Sequence, residues 1–262
     1  MKKSFALLTV LLLISITTIA CNKKEEPPMK KATVKAETPL LDKTLLTNNT
    51  QPALTNPSNL FNSELLPLSA VYKYTWYNRG LPIGESVFSI NKTPQGNYEM
   101  KTSGLENTMV LVDQKTLQPI KATRKFDMKG KEYTISSEFQ EGKVNVKAEL
   151  PTGTQNATVE LTEPVYHNDA LLLSLMAMEL EPGAHIKFTH YNPSNSQTAN
   201  YDITVLNEET VNVPAGEFQT YKLKLDYSDG LSVHYAWYQK DTPHKMIKYN
   251  NTDANTTAKF IE

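Results

Sequence analysis

Tyr221-Lys222-Leu223-Lys224-Leu225-Asp226-Tyr227 alternates apolar and charged residues without a break. Successive side chains of a β-strand point to opposite faces, so this stretch has one apolar face and one charged face. Tyr221, Leu223, Leu225 and Tyr227 form the first, and Lys222, Lys224 and Asp226 the second. Clean alternation of this kind belongs to an antiparallel sheet with one buried face. The same period recurs upstream. It runs through Tyr72, Tyr74 and Trp76, then Tyr133, Ile135 and Phe139, then Val144, Val146, Ala148 and Leu150. It continues through Ala157, Val159 and Leu161, Ile186, Phe188 and His190, and Tyr201, Ile203 and Val205. Downstream, Leu231, Val233, Tyr235 and Trp237 alternate with Ser232, His234 and Tyr238, which puts His234 on the polar face.

Turn chemistry separates these runs. Asn78-Arg79-Gly80-Leu81-Pro82, Pro94-Gln95-Gly96-Asn97 and Lys129-Gly130 each join two strands at hairpin length. Val213-Pro214-Ala215-Gly216 reads the same way, since Pro presets φ and Gly tolerates positive φ. The count comes to about a dozen strands, and a sheet that long must curl, split or close. One helix interrupts it. Ala170–Met178 is uncharged and rich in helix formers, Asn168 or Asp169 suits its start, and Pro182-Gly183 stops it. A helix apolar all round is a buried one, so it plugs or covers the sheet.

Ahead of residue 67 the sequence changes character. Residues 1–20 hold Lys2 and Lys3, then an apolar run from Phe5 to Ile19, then Ala20. That is the layout of a secretory signal, and the run is short for a spanning helix. Residues 21–66 are polar and proline-punctuated, as in Lys23-Lys24-Glu25-Glu26-Pro27-Pro28 and Thr47-Asn48-Asn49-Thr50-Gln51. Such a segment buries too little apolar surface to offset its ordering entropy and reads as a disordered tether. As a flexible coil it reaches roughly 35–40 Å. Residues 67–262 are the antiparallel β domain.

Thr18-Ile19-Ala20-Cys21 resembles the lipobox of bacterial lipoproteins. The resemblance implies cleavage between Ala20 and Cys21 and acyl chains on the Cys21 sulfur and new amino terminus. Two or three chains anchor stably where one does not. Asn22 stands where Asp would retain such a protein at the inner membrane, so the expected address is the outer membrane, facing the periplasm.

Several segments together resemble an uncharacterised bacterial envelope family, domain of unknown function 3108. They are the aromatic first strand with Gly80-Leu81-Pro82-Ile83-Gly84, then Thr116-Leu117-Gln118-Pro119, then the Asp169 helix. Val211 to Thr220 and Trp237 with Asp241-Thr242-Pro243 complete the set. The resemblance implies a curved antiparallel sheet, either a half-barrel or a calycin-like barrel, with one short buried helix. It implies no catalytic residues.

Composition excludes several functions. After Ala20 the chain carries 25 basic against 28 acidic side chains, so no excess charge is left to neutralise nucleic-acid phosphates. The single cysteine forms no internal disulfide and no thiolate metal site. The five histidines follow no ligand spacing, and His185 and His190 fall on opposite strand faces, so no metal or cofactor is expected. Ser86 lacks the second glycine of a nucleophile elbow, and Glu208-Glu209 point apart on a strand, so no catalytic residue is expected. What remains is an aromatic inner face, and Tyr72, Tyr74, Trp76, Tyr235 and Trp237 are the expected lining of an apolar cleft. The sequence therefore points to a non-catalytic lipoprotein that binds a hydrophobic or amphipathic envelope molecule. Two alternatives stand beside it: an assembly partner of another envelope protein, and a hydrolase whose site is not legible in one chain.

Overall fold

The computed structural model describes residues 60–227 and 232–262. The signal segment, Cys21 and the tether up to residue 59 lie outside the described residues, as does Leu231. Among the described residues fifteen strands form one sheet. They are β1 (Ser69–Asn78), β2 (Leu81–Lys92), β3 (Tyr98–Gly104), β4 (Asn107–Val112), β5 (Pro119–Met128), β6 (Lys131–Gln140), β7 (Lys143–Leu150) and β8 (Gly153–Glu160). There follow β9 (Tyr166–His167), β10 (His185–Asn192), β11 (Gln197–Val213), β12 (Gly216–Tyr227), β13 (Val233–Gln239), β14 (Met246–Asn251) and β15 (Thr256–Phe260). β1 pairs with β15 in the middle of the sheet, β8 lies at one edge and β9 at the other. Neighbours are antiparallel except the two-residue β9, which runs parallel to β10.

Local chemistry makes the hairpins. Arg79 and Gly80 both have positive φ, as do Lys129 and Gly130. Two such residues in a row form the tight turn whose twist matches that of the flanking strands. Pro214 and Ala215 connect β11 to β12, with Val213 opposite Gly216. β4 is a strand the alternation does not reveal. Its sequence Asn-Thr-Met-Val-Leu-Val is apolar on both faces, so the two-residue period is lost.

The sheet curls until its two ends overlap. Tyr191 lies on the face of β10 opposite His190. It is buried against Ile135 and Val146 from the other end of the sheet, with Val165 of the connecting segment. Its ring meets Phe139 edge-on at 5.4 Å. The ends are therefore joined by side-chain packing rather than by a ladder of backbone hydrogen bonds.

The plug is a 3-10 turn (Asn168–Ala170), a single α turn α1 (Leu171–Ser174) and a second 3-10 turn (Leu175–Ala177). Neither Asn168 nor Asp169 caps it. The Asp169 amide donates to Nδ1 of His167 at 3.2 Å, which frees the Asp169 carboxylate for Arg124. Tyr238 Oη donates to the Leu172 carbonyl at 2.8 Å and ties the plug to β13. Residues 60–66, expected in the tether, belong to the folded domain instead. Leu60, Phe61 and Leu66 are buried, and the Asn62 amide donates to the Ala177 carbonyl at 2.7 Å. Three buried apolar side chains in seven positions supply the burial that the polar stretch before them lacks. Among the described residues no helix is long and apolar enough to cross a membrane.

β13 runs opposite to the expectation from its polarity pattern. Leu225 faces His234 and Leu223 faces Ala236 across the β12–β13 ladder. Residues paired across a ladder share a face, so His234, Ala236 and Tyr238 point inward and Tyr235 and Trp237 outward. The buried polar tips are satisfied within the fold, whereas Trp237 is covered from outside. Lys222 and Lys248 lie 5.4 and 4.4 Å from its ring, and its indole N–H donates to Glu209.

Candidate cleft in the barrel interior

The interior is filled unevenly. Around the plug it is dense: Tyr74, Met100, Leu175, Met176, Met178 and Tyr238 are almost wholly buried. Tyr74 Oη donates to the Met246 carbonyl at 2.8 Å, and its ring packs on Phe88 and Phe260. Tyr72 packs on Phe260 as well. Beyond the plug, toward the β1–β2 and β3–β4 hairpins, a cleft of about 430 Å³ is left open. Its size falls within the range of small-molecule sites, roughly 300–1,000 Å³.

Each wall has a distinct chemistry. Phe88, Leu225 and the plug residues Leu171, Leu172 and Leu173 form the apolar part. Trp76, Tyr201, Tyr227 and Tyr249 add rings from four strands. Ile83 and Leu105 line it near the hairpins and are both largely exposed to solvent. Of the five aromatics expected to line a cleft, the structure brings only Trp76 into it. Tyr72 and Tyr74 are spent in the packed half, and Tyr235 and Trp237 lie on the outer face. Nε1 of Trp76 is buried with no acceptor among the described residues.

Polar groups gather at one side. Arg124 donates from Nε to Asp169 Oδ2 at 3.1 Å and from Nη2 to Asp169 Oδ1 at 2.7 Å. Nη2 also reaches Glu106 at 3.3 Å, and Nη1 reaches Ser194 Oγ at 3.3 Å. Burial acts against the Arg124 charge, but Asp169 and then Glu106 outweigh it and hold its pKa above the usual arginine value. The charged lining is thus one guanidinium and two carboxylates, and the guanidinium is already engaged.

A second polar chain runs from the lining to the surface. Tyr249 Oη lies 2.6 Å from Nδ1 of His234, Nε2 of His234 lies 2.9 Å from Ser232 Oγ, and Ser232 reaches Asp253. Burial pushes the Tyr249 hydroxyl well up, with Tyr227, Glu106 and Asp253 adding to it, so it stays a donor. Burial also holds the His234 imidazole below its ordinary value, against the pull of Asp253. One assignment gives every contact a donor: Tyr249 to Nδ1, Nε2–H to Ser232, and Ser232 to the Asp253 carboxylate. In that direction Ser232 gives its proton to Asp253 and not to His234. This is the reverse of an activated serine, whose proton goes to the imidazole. Sequence reading missed this group because Ser232, His234, Tyr249 and Asp253 meet only through the β12–β13 and β14–β15 ends. The one signal present was Ser232 and His234 at the same-face offset of two.

His167 and His190 are buried behind the cleft. Burial pulls both down to about 4, the His167 charge adding to the effect on His190 and Asp169 opposing it on His167. Among the described residues no three His, Cys, Asp or Glu side chains converge to hold a metal.

A family model described as "Protein of unknown function (DUF3108)" matches residues 71–260. Among solved structures, the chain is similar to a beta-barrel-like protein of domain of unknown function DUF1849 from Brucella abortus. The identity is 13%, the match covers 76% of this chain and 97% of that one, and the TM-score is 0.53. A protein from Bacteroides fragilis described as exported, with a YmcC-like fold, matches at 13% identity over 74% of this chain and 94% of that one, with a TM-score of 0.30. No curated protein matches the chain. The Brucella likeness supports the barrel-like fold.

Proposed function

We propose, on the premise that this chain belongs to the DUF3108 family, that it is a lipid-anchored envelope protein whose barrel holds a small hydrophobic or amphipathic molecule without transforming it. The observation that carries the reading is the cleft. A barrel of about eight strands is filled by its own side chains, whereas this sheet has fifteen, and its plug fills the interior only in part, leaving about 430 Å³ against leucines and rings. A concave site of that size, walled by leucines and rings with a few polar groups at one side, has the make-up of a small-molecule site. Cys21 supplies the anchor, and the outer membrane, on its periplasmic face, is the proposed address.

Native mass spectrometry of the protein purified from its own host tests the binding. A bound molecule released on unfolding is the expected result. Protein that is always ligand-free and takes up no apolar fluorescent probe would sink the reading. The anchor is tested separately: Cys21→Ser should abolish labelling by a fatty-acid precursor and move the protein out of the membrane fraction.

Two other readings each rest on one observation. The Ser232–His234 contact favours a hydrolase, although its hydrogen-bond direction does not. Labelling by a serine-directed fluorophosphonate, lost in Ser232→Ala, would establish it. The unpaired edge of β8 favours an assembly role, because an open edge is a template for another strand. Crosslinking in cells from a residue of β8 would identify such a partner.

A further inference from the structure

We infer that the cleft selects a single-chain amphiphile with a positively charged, amine-type head and rejects the corresponding fatty acid. This rests on the cleft being a binding site, and it adds the class of ligand. Size comes first. At roughly 30 Å³ for a group the size of a water molecule, 430 Å³ admits about fourteen non-hydrogen groups. That is one alkyl chain with a small head, and not a two-chain lipid.

Charge decides the head. An anionic head would need a free donor fork, and Arg124 does not offer one. Its Nε and Nη2 go to Asp169, Nη2 is shared with Glu106, and Nη1 meets Ser194. Glu106, by contrast, is mostly exposed and is held by a single contact of 3.3 Å. A carboxylate has about four lone-pair sites, so most of its accepting capacity faces the open side of the cleft. Asp253 stands beyond His234 at the surface end of the polar chain, with its Oδ2 4.0 Å from Nε2. His234 is the only basic ring between them, and it is uncharged when Tyr249 donates to its Nδ1. An ammonium group here meets the Glu106 carboxylate and no competing free cation among the cleft's lining residues; a carboxylate meets repulsion.

Dodecylamine, dodecanol and laurate share a chain of the right length and differ in the head. The test is displacement of N-phenyl-1-naphthylamine from the full chain carrying Cys21→Ser, at pH 7 and low salt. Dodecylamine should displace the probe at a concentration at least about tenfold lower than laurate, with dodecanol between. Glu106→Gln should narrow the amine-to-laurate ratio severalfold while leaving dodecanol unchanged. Binding of all three without preference, a preference for laurate, or a ratio indifferent to Glu106→Gln overturns the head-group inference and leaves the cleft standing. If neither the probe nor any of the three binds, the cleft reading falls with it.

Discussion

Arg124 on β5 and Asp169 in the plug are joined by two hydrogen bonds of 3.1 and 2.7 Å across forty-five residues of sequence. The Asp169 side chain is 3% exposed and that of Arg124 20%. This pair fixes the depth to which the plug enters the barrel, and with it the floor of the cleft. A carboxylate buried to that extent depends on its partner, because losing one member leaves an uncompensated charge.

Arg124→Ala should therefore destabilise the domain by about 3 kcal/mol. Urea denaturation measures it. Adding Asp169→Ala should recover part of the loss, since the stranded charge is then gone. A double variant that costs the sum of the two single ones would mean that the pair is not coupled.

Gly104 and Gly80 make a matched comparison. Both have positive φ, but a Cβ on Gly104 would sit 2.2 Å from the Glu85 carbonyl, whereas one on Gly80 meets nothing within 4 Å. Gly80→Ala should cost about 1 kcal/mol, the price of the φ value alone. Gly104→Ala should cost clearly more, because two backbones approach closely there and neither can yield. Equal midpoints in denaturant would show that the β2–β3 contact is looser than described.

Acid should weaken the fold through its buried imidazoles. His167 and His190 titrate near 4 in the folded chain, against an ordinary 6.5. Between those values the unfolded chain binds more protons, so stability is full above 6.5 and falls as the pH drops toward 4. The loss is on the order of 3 kcal/mol for each ring. His190→Phe should flatten the dependence of the denaturation midpoint on pH over that window, compared with the parent chain. A parallel decline in both proteins would assign the acid sensitivity to other groups.

The two tryptophans separate the cleft from the outer wall. Trp76 lines the cleft, and Trp237 lies under Lys222 and Lys248 outside. Binding of dodecanol should shift the emission of a Trp237→Phe protein and leave that of a Trp76→Phe protein unchanged. The opposite pattern would place the ligand on the outer face.

Sequence alone determined the class of fold. Alternation along Tyr221–Tyr227 and its neighbours is a property of single strands, set by the two-residue period of the backbone, and needs no partner to be visible. The same holds for the turn residues and for the apolar run that became the plug. Which aromatic faces the cleft was settled only by tertiary structure. On β13 both faces carry rings, and a polar tip such as that of Tyr238 or His234 is admitted inside once another strand or the plug supplies its hydrogen bond. β4 and the Arg124–Asp169 pair were hidden for related reasons: one is apolar on both sides, and the other joins distant segments. Pairing across the sheet, and the point at which the plug stops, depend on the whole chain at once, and those two facts made the cleft.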